Sequence, residues 1–155
     1  MVHEKRLKLP LVWQLISSVR NAVDEELKDY SAVIRELSSM VAAELMSNAI
    51  KYGECVERAQ EAHFSLLADE HTIDIRVSSG LRDSEAALRL KDRIEKIMAS
   101  PDVEGLYLNR FHEILNNPEE VGKIGLLRVV YEGQFSLASI YENQVFTVIA
   151  SRGVA

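Results

Sequence analysis

The stretch from Val41 to Gly53 reads VAAELMSNAIKYG and has the spacing of one long helix. At about 100° per residue, Glu44, Asn48 and Lys51 fall on one narrow stripe of that helix. A carboxylate, an amide and an ammonium group one turn apart can hold a divalent cation and meet a phosphate. The alternative is an ordinary solvated helix face. A second, apolar stripe predicts the side that packs on the sheet: Leu37, Val41, Leu45 and Ala49.

The composition is that of an ordinary globular protein. The chain has 155 residues, of which 47% are hydrophobic and 27% are charged. A chain of this length can bury a single core, so we expect one domain over residues 1–155. The formal net charge of −6 argues against a nucleic-acid surface, because such surfaces cluster lysine and arginine. A protein or a small molecule is therefore the expected partner.

The sequence shows no signal for membrane insertion or export. No apolar run approaches the roughly 20 residues that a membrane helix needs, and the N-terminus lacks the apolar core of a signal peptide. The single cysteine, Cys55, has no partner for an internal disulfide, which fits a reducing compartment. We therefore expect a cytoplasmic protein with no membrane partner.

The first half of the chain predicts one strand and two helices. Residues 5–11 alternate basic and apolar side chains, which is typical of a short edge strand. Apolar residues recur at helical spacing over residues 12–28. Ser31 is the expected N-cap of the second helix, which runs to Tyr52. Gly53 is expected to end this helix as a left-handed C′ residue.

The second half predicts two hairpins separated by three helices. Alternating apolar residues predict antiparallel strands over residues 62–66 and 73–77. Asp83 or Ser84 is the expected N-cap of a helix that ends near Ser100. The remaining elements are a helix with Pro101 in its first turn that stops before Asn116, a short apolar helix over residues 124–130 closed by Gly133, and a hairpin of residues 135–141 and 145–149 around the turn Glu142 to Gln144.

This order of elements, β-α-α-β-β-α-α-α-β-β, predicts an α+β fold. We expect a two-layer sandwich in which helices cover one face of a mixed, mostly antiparallel sheet. On the fourth helix, Tyr107, Phe111 and His112 are interpreted as core and flanking residues. The predicted edge strand exposes unpaired backbone groups, and pairing with a second copy would satisfy them, so we expect a homodimer.

The string from Glu44 to Tyr52 resembles the N-box of the histidine-kinase-like (GHKL) ATPase superfamily, which includes gyrase-type ATPases, histidine kinases and anti-sigma-factor serine kinases. The predicted order of elements also resembles the Bergerat-type fold of that superfamily over nearly the whole chain. The resemblance implies that Asn48 coordinates Mg²⁺ and that Lys51 lies near the phosphates of ATP. It also implies that Glu44 is a catalytic base, which activates a water molecule or a serine hydroxyl.

The two glycine-rich boxes of the superfamily are only partly present. The adenine-binding box, Asp-x-Gly-x-Gly, is reduced to Ser79 and Gly80, because its aspartate and one glycine are missing. The phosphate-binding box is similar to the stretch from Gly122 to Gly125, in which Lys123 replaces the central glycine. A long side chain there either blocks phosphate or supplies its own charge. The alternative is that Lys123 pairs with Glu44 or another acid.

Two hypotheses about function follow from this resemblance. The first is a bacterial regulatory domain that acts through a small protein partner, such as a sigma factor or an anti-anti-sigma-like protein, with weak or lost ATP binding. The second is an active serine kinase of the anti-sigma-factor type, dependent on ATP and Mg²⁺. The residues missing from the glycine-rich boxes favour the first hypothesis, since each lost hydrogen bond to a charged group costs roughly 1.5–3 kcal/mol of binding free energy.

Overall fold

In the described part of the chain, five strands form one antiparallel sheet. The computed structural model describes residues 2–9, 14–117 and 124–154. The strands are β1 (His3–Leu9), β2 (Ala62–Ala68), β3 (Thr72–Gly80), β4 (Ser136–Glu142) and β5 (Val145–Gly153). They lie in the order β1-β2-β3-β5-β4, so β1 and β4 are the edges. We expected a mixed, mostly antiparallel sheet, and every strand pairing within the described residues is antiparallel.

Five helices within the described residues complete the fold and confirm the predicted α+β sandwich. They are α1 (Leu15–Glu26), α2 (Ala32–Tyr52), α3 (Ser84–Ala99), α4 (Val103–Asn116) and α5 (Gly125–Tyr131). The central helix α2 packs against α1, α5 and β3. Helix α1 begins at Leu15, and the first residues predicted for it, from 12 onward, lie partly outside the described ranges. None of the helices within the described residues is both long and apolar enough to cross a membrane.

The sheet has one covered face and one open face, because its strands alternate apolar and polar residues. In β3, Ile73, Ile75 and Val77 are buried under the helices, whereas Arg76 is exposed on the other side. The neighbouring strand β2 buries Phe64 in the same layer. This pattern is the expected one for an antiparallel sheet with a single core.

Local signals set the helix starts and the second hairpin as predicted. The Ser31 hydroxyl accepts a hydrogen bond from the Ile34 amide at 3.3 Å and caps α2. The Asp83 carboxylate accepts the amides of Glu85 and Ala86 at 3.0 and 3.2 Å and caps α3. The hairpin of β4 and β5 turns through two left-handed residues, Asn143 at φ 53° and Gln144 at φ 64°, a geometry typical of a two-residue turn.

Helix α2 ends differently from the prediction. Gly53 is in an extended conformation, with φ −70° and ψ 146°, so the predicted left-handed C′ residue is wrong. The reason is the next residue, since the Glu54 amide donates to the Gly80 carbonyl at 2.7 Å and the chain must leave the helix extended to reach β3. The predicted place of Pro101 in the first turn of the next helix is also wrong, because α4 begins at Val103. Its N-cap is Asp102, whose carboxylate accepts a hydrogen bond from the Gly105 amide at 2.9 Å.

Helix α4 lies on the outside of the molecule, so the predicted core role holds for Tyr107, which packs against the core, and is wrong for Phe111. Every residue of α4 is described, and none of its side chains is buried. Tyr107 is half-buried, whereas Phe111 is 45% exposed and His112 is exposed as well. Three apolar residues share one outward stripe of the helix at i, i+3 and i+7: Leu108, Phe111 and Leu115. The helical spacing was read correctly, but the helix packs mainly against α5 rather than against the sheet.

Candidate functional site

The predicted polar stripe of α2 lines three cavities, of which the two beside Asn48 and Lys51 adjoin through Tyr52, Leu81 and Leu90. Glu44 lines a hollow of about 240 Å³ beside α5. Asn48 faces a cavity of about 20 Å³ against the sheet, and Lys51 lines an open cleft of about 760 Å³ beside α3. Glu44 and Asn48 are half-buried, and Lys51 is exposed. The structure therefore places the three side chains along one helix, as predicted, without directing them into one shared cavity of the described residues.

The apolar stripe of α2 is confirmed for three of its four members. Val41, Leu45 and Ala49 are buried, but Leu37 is only half-buried and lines the same hollow as Glu44. The buried surface of α2 also includes Met46, because α1 and α5 cover the helix where the sheet does not.

Glu44 is held by an arginine that sequence analysis did not single out. The Arg128 Nη1 donates to Glu44 Oε1 at 2.8 Å, and its Nε donates to Glu132 Oε2 at 3.0 Å. The Tyr107 hydroxyl donates to the other oxygen of Glu132 at 2.6 Å. We call these four residues, Glu44, Arg128, Glu132 and Tyr107, the carboxylate network. The network connects α2, α4, α5 and the residue that directly follows α5.

Hydrogen bonding within the carboxylate network shifts two pKa values in opposite directions. The hydrogen bond from Tyr107, opposed by burial and helped by Arg128, lowers the pKa of the Glu132 carboxyl. The same hydrogen bond, together with burial, raises the pKa of the Tyr107 hydroxyl. Both shifts favour an ionised glutamate beside a neutral tyrosine, so the network holds its charges in fixed positions near neutral pH.

Gly125, predicted to bind phosphate, lies directly against the Glu44 carboxylate. A Cβ atom at Gly125 would lie 2.5 Å from Glu44 Oε2, so the absence of a side chain admits the carboxylate to the start of α5. Gly122 and Lys123, the other predicted phosphate-binding residues, lie outside the described residues. The proposed pairing of Lys123 with Glu44 is therefore not described, and the described partner of Glu44 is Arg128.

Asn48 and Ser79 line the same cavity, and that cavity is small. Its volume of about 20 Å³ has room for about one water molecule, whereas ligand pockets measure roughly 300–1,000 Å³. The apolar side chains of Leu81, Leu90 and Phe146 fill the remaining space. As they stand, these residues do not fit an adenine ring. Within the described residues, no group of three or more His, Cys, Asp or Glu side chains could hold a metal ion.

Gly80 has a packing role in the structure. A Cβ atom there would collide with the Glu54 carbonyl oxygen and would lie 2.7 Å from a methyl group of Val56. The segment after α2 crosses the end of β3 at this point, since Glu54 and Gly80 form an isolated antiparallel bridge. The glycine that resembles part of the adenine-binding box is thus required for the close approach of two backbone segments.

Lys51 belongs to a cationic cleft that sequence analysis did not find. Its Nζ lies 5.2 Å from the centre of the Tyr52 ring. We call the surrounding 760 Å³ space the arginine cleft, because Arg89 and Arg93 of α3 and Arg110 of α4 line it together with Lys51. The i, i+4 spacing of Arg89 and Arg93 is visible in the sequence. The position of Arg110 beside Lys51 depends on how α4 packs relative to α2, which the sequence does not show.

Comparison with known proteins identifies a similar fold. A chain in the crystal structure of the SiaB–SiaC complex from Pseudomonas aeruginosa matches with a TM-score of 0.75 at 16% sequence identity, over 96% of this chain and 89% of that chain. No protein-family model and no curated protein matches this chain. At this level of identity the likeness establishes the fold, the α+β sandwich described above.

Proposed function

We propose that this protein is a bacterial regulatory domain of the histidine-kinase-like ATPase fold that acts through a protein partner and binds ATP weakly or not at all. One observation carries the proposal: the cavity beside Asn48 measures about 20 Å³, and Glu44 lines a different hollow beside α5. A nucleotide held by an N-box needs these groups to converge on one ligand.

A protein partner is supported by two further observations. The similar fold was found in a complex of two proteins, SiaB and SiaC. In addition, α4 of this chain exposes Leu108, Phe111 and Leu115 on one stripe, and an exposed apolar patch is typical of protein contacts. We propose a small cytoplasmic regulatory protein, sigma-factor-like or anti-anti-sigma-like, as this partner. The homodimer expected through the β1 edge stays a prediction, and sedimentation would test it.

Calorimetry with ATP and Mg²⁺ tests the loss of nucleotide binding. Two missing anchors at about 1.5–3 kcal/mol each weaken affinity by roughly two to four orders of magnitude, so binding that depends on Asn48 and Mg²⁺ should be millimolar or undetectable. The control is Asn48→Ala, which should leave any remaining heat of binding unchanged. Micromolar affinity that requires Mg²⁺ and disappears in Asn48→Ala would overturn the proposal.

The alternative, an active serine kinase of the anti-sigma-factor type, is favoured by one observation. The N-box residues are all present, and the Glu44 side chain is 22% exposed, so it remains accessible beside Arg128. In that case Glu44 would be the base that activates a serine of the partner, with Asn48 and Mg²⁺ holding ATP. A phosphotransfer assay with Glu44→Gln decides, with Glu36→Gln on the same helix as the matched carboxylate-to-amide control. Transfer that only Glu44→Gln abolishes would establish the kinase.

A further inference from the structure

Helix α4 has two apolar sides, and only one of them is covered by the domain. The covered side includes the half-buried residues Val103 and Ile114. The outward stripe remains 46%, 45% and 64% exposed at Leu108, Phe111 and Leu115. At about 100° per residue, these three side chains fall within about 60° of the helix circumference. One apolar side is enough to hold a surface helix on its domain, so a second one is typical of a helix that also packs against another molecule.

Aromatic contacts extend the outward stripe from α4 onto α5. The Phe111 ring stacks with the Tyr107 ring, with ring centres 6.5 Å apart, and Tyr107 contacts Tyr131 of α5 at 4.9 Å. Tyr131 is 37% exposed. Aromatic side chains are enriched where proteins contact each other, because they supply a large contact area at a small cost in conformational entropy. We call Leu108, Phe111, Leu115 and Tyr131 the α4 surface.

A carboxylate lies at one end of the α4 surface. Glu104 is exposed and precedes Leu108 by one helical turn, so this carboxylate and the three apolar side chains follow one another at intervals of four, three and four residues. These intervals are typical of the seam between two packed helices. The negative charge of Glu104 raises the pKa of the Tyr131 hydroxyl, as do desolvation and the hydrogen bond between the two side chains. The α4 surface therefore combines apolar groups with negative charge.

The size and the charge of the α4 surface disfavour a second copy of this chain as its occupant. Four partly exposed side chains provide roughly a few hundred Å² of contact area, whereas a stable dimer buries about 800 Å² on each partner. Each copy would also bring its own Glu104 and a formal net charge of −6, and like charges repel. A single positively charged helix fits both limits, because its contact is narrow and it can neutralise Glu104.

We propose that the α4 surface is the docking site for an amphipathic helix of the protein partner, with apolar residues at i, i+3 or i+4, and i+7 and a lysine or arginine that meets Glu104. The apolar residues of such a helix pack between Leu108, Phe111 and Leu115. Its cation binds the Glu104 carboxylate and lies over the Tyr131 ring. This inference rests on the proposed action through a protein partner, and it names the surface and the chemistry of that contact.

The test is the binding of a designed peptide of about 18 residues, long enough for five helical turns. The peptide has leucine at i, i+4, i+7 and i+11, lysine on both flanks of that stripe and alanine elsewhere. We expect saturable binding, with amide NMR shifts concentrated in α4 and at Tyr131. A second peptide with glutamate in place of every lysine should bind at least about tenfold more weakly, because it brings like charge to Glu104. A scrambled peptide with the composition of the first should also bind more weakly, since it lacks the apolar stripe.

Matched variants of the protein locate the contact. Leu115→Ser should weaken binding of the lysine peptide about tenfold, whereas Leu88→Ser, at a leucine of 62% exposure on α3, should leave it unchanged. Glu104→Gln should weaken binding several-fold, and Glu95→Gln, which removes the same charge from an exposed position of α3, should not. All four positions are exposed, so we expect each variant to fold, and thermal unfolding verifies this.

Several outcomes would overturn the proposal. They are a lysine peptide that does not saturate below about 1 mM, a glutamate peptide that binds equally well, and a loss of affinity in Leu88→Ser as large as that in Leu115→Ser. Sedimentation that shows a dimer dissociated by Leu115→Ser would also overturn it, because the occupant would then be a second copy. None of these outcomes affects the proposed loss of ATP binding. Conversely, micromolar binding of ATP that needs Mg²⁺ and Asn48 would overturn that loss and leave the peptide result unchanged.

Discussion

The carboxylate network and the arginine cleft lie along the same helix but differ in the surroundings of their arginines. At Glu44, a single arginine lies between two carboxylates of its own chain. Seven residues later, roughly 10 Å along α2, the cleft at Lys51 gathers three arginines while its carboxylates bind backbone amides. The difference teaches that an arginine bound by two carboxylates of its own chain contributes to the fold, whereas an exposed arginine such as Arg89 should contribute little to stability.

The glycines beside the two regions give the largest expected contrast. At the cleft side, Gly80→Ala forces a Cβ atom against the Glu54 carbonyl, which belongs to a fixed backbone segment. We expect a loss of about 3 kcal/mol in the free energy of unfolding, as for severe overpacking. At the network side, the atom that Gly125→Ala meets is the end of the Glu44 side chain, which can rotate away, so the loss should stay below about 1 kcal/mol. Urea denaturation of both variants measures the contrast, and equal losses would contradict it.

Removing one arginine from each region should have unequal effects. Arg128→Met leaves Glu44 and Glu132 without their shared cation, and because these side chains are only 22% and 36% exposed we expect a loss of about 2 kcal/mol in the free energy of unfolding. Methionine keeps much of the apolar stem, so lost packing contributes little.

The matched change in the cleft is Arg89→Met. It removes a charge from a cluster of like charges, so the free energy of unfolding should change by less than about 0.5 kcal/mol. Chemical denaturation at low salt gives both values. A loss for Arg89→Met as large as that for Arg128→Met would mean that the cleft arginines are structural, and the comparison between the two regions would fail.

Acid should weaken the carboxylate network by less than the substitution of Arg128 does. The folded pKa of Glu132 is lowered, so its ionised form contributes stability above about pH 4.5, the ordinary glutamate value, and that contribution is lost as the pH falls through the folded pKa. We expect the free energy of unfolding to fall less steeply between about pH 5 and 3 in Glu132→Gln than in the unmodified chain. The exposed Glu57→Gln is the control and should retain the steeper fall.

Sequence analysis predicted correctly the features that depend on residues adjacent in the chain. The caps at Ser31 and Asp83 and the turn before Val145 need only a few adjacent side chains, and all were found where expected. The partner of Glu44 could not be found in this way, because Arg128 is 84 residues away and the contact exists only when α5 packs on α2. The cleft was missed for the same reason, since three helices form its walls. Phe111 was placed in the core because spacing shows that a helix has an apolar side without showing what covers it.

The shallow packing of α4 has a consequence for how the molecule opens. A helix with no fully buried side chain needs less free energy to detach than the core does, so α4 is expected to unfold locally before the whole domain does. Arg110 moves with α4, and the outward stripe of Leu108, Phe111 and Leu115 moves with it too. A partner protein that binds the stripe on docked α4 would hold the helix in place, because a ligand stabilises the state that it binds. Docking of α4 and binding of that partner would then be linked.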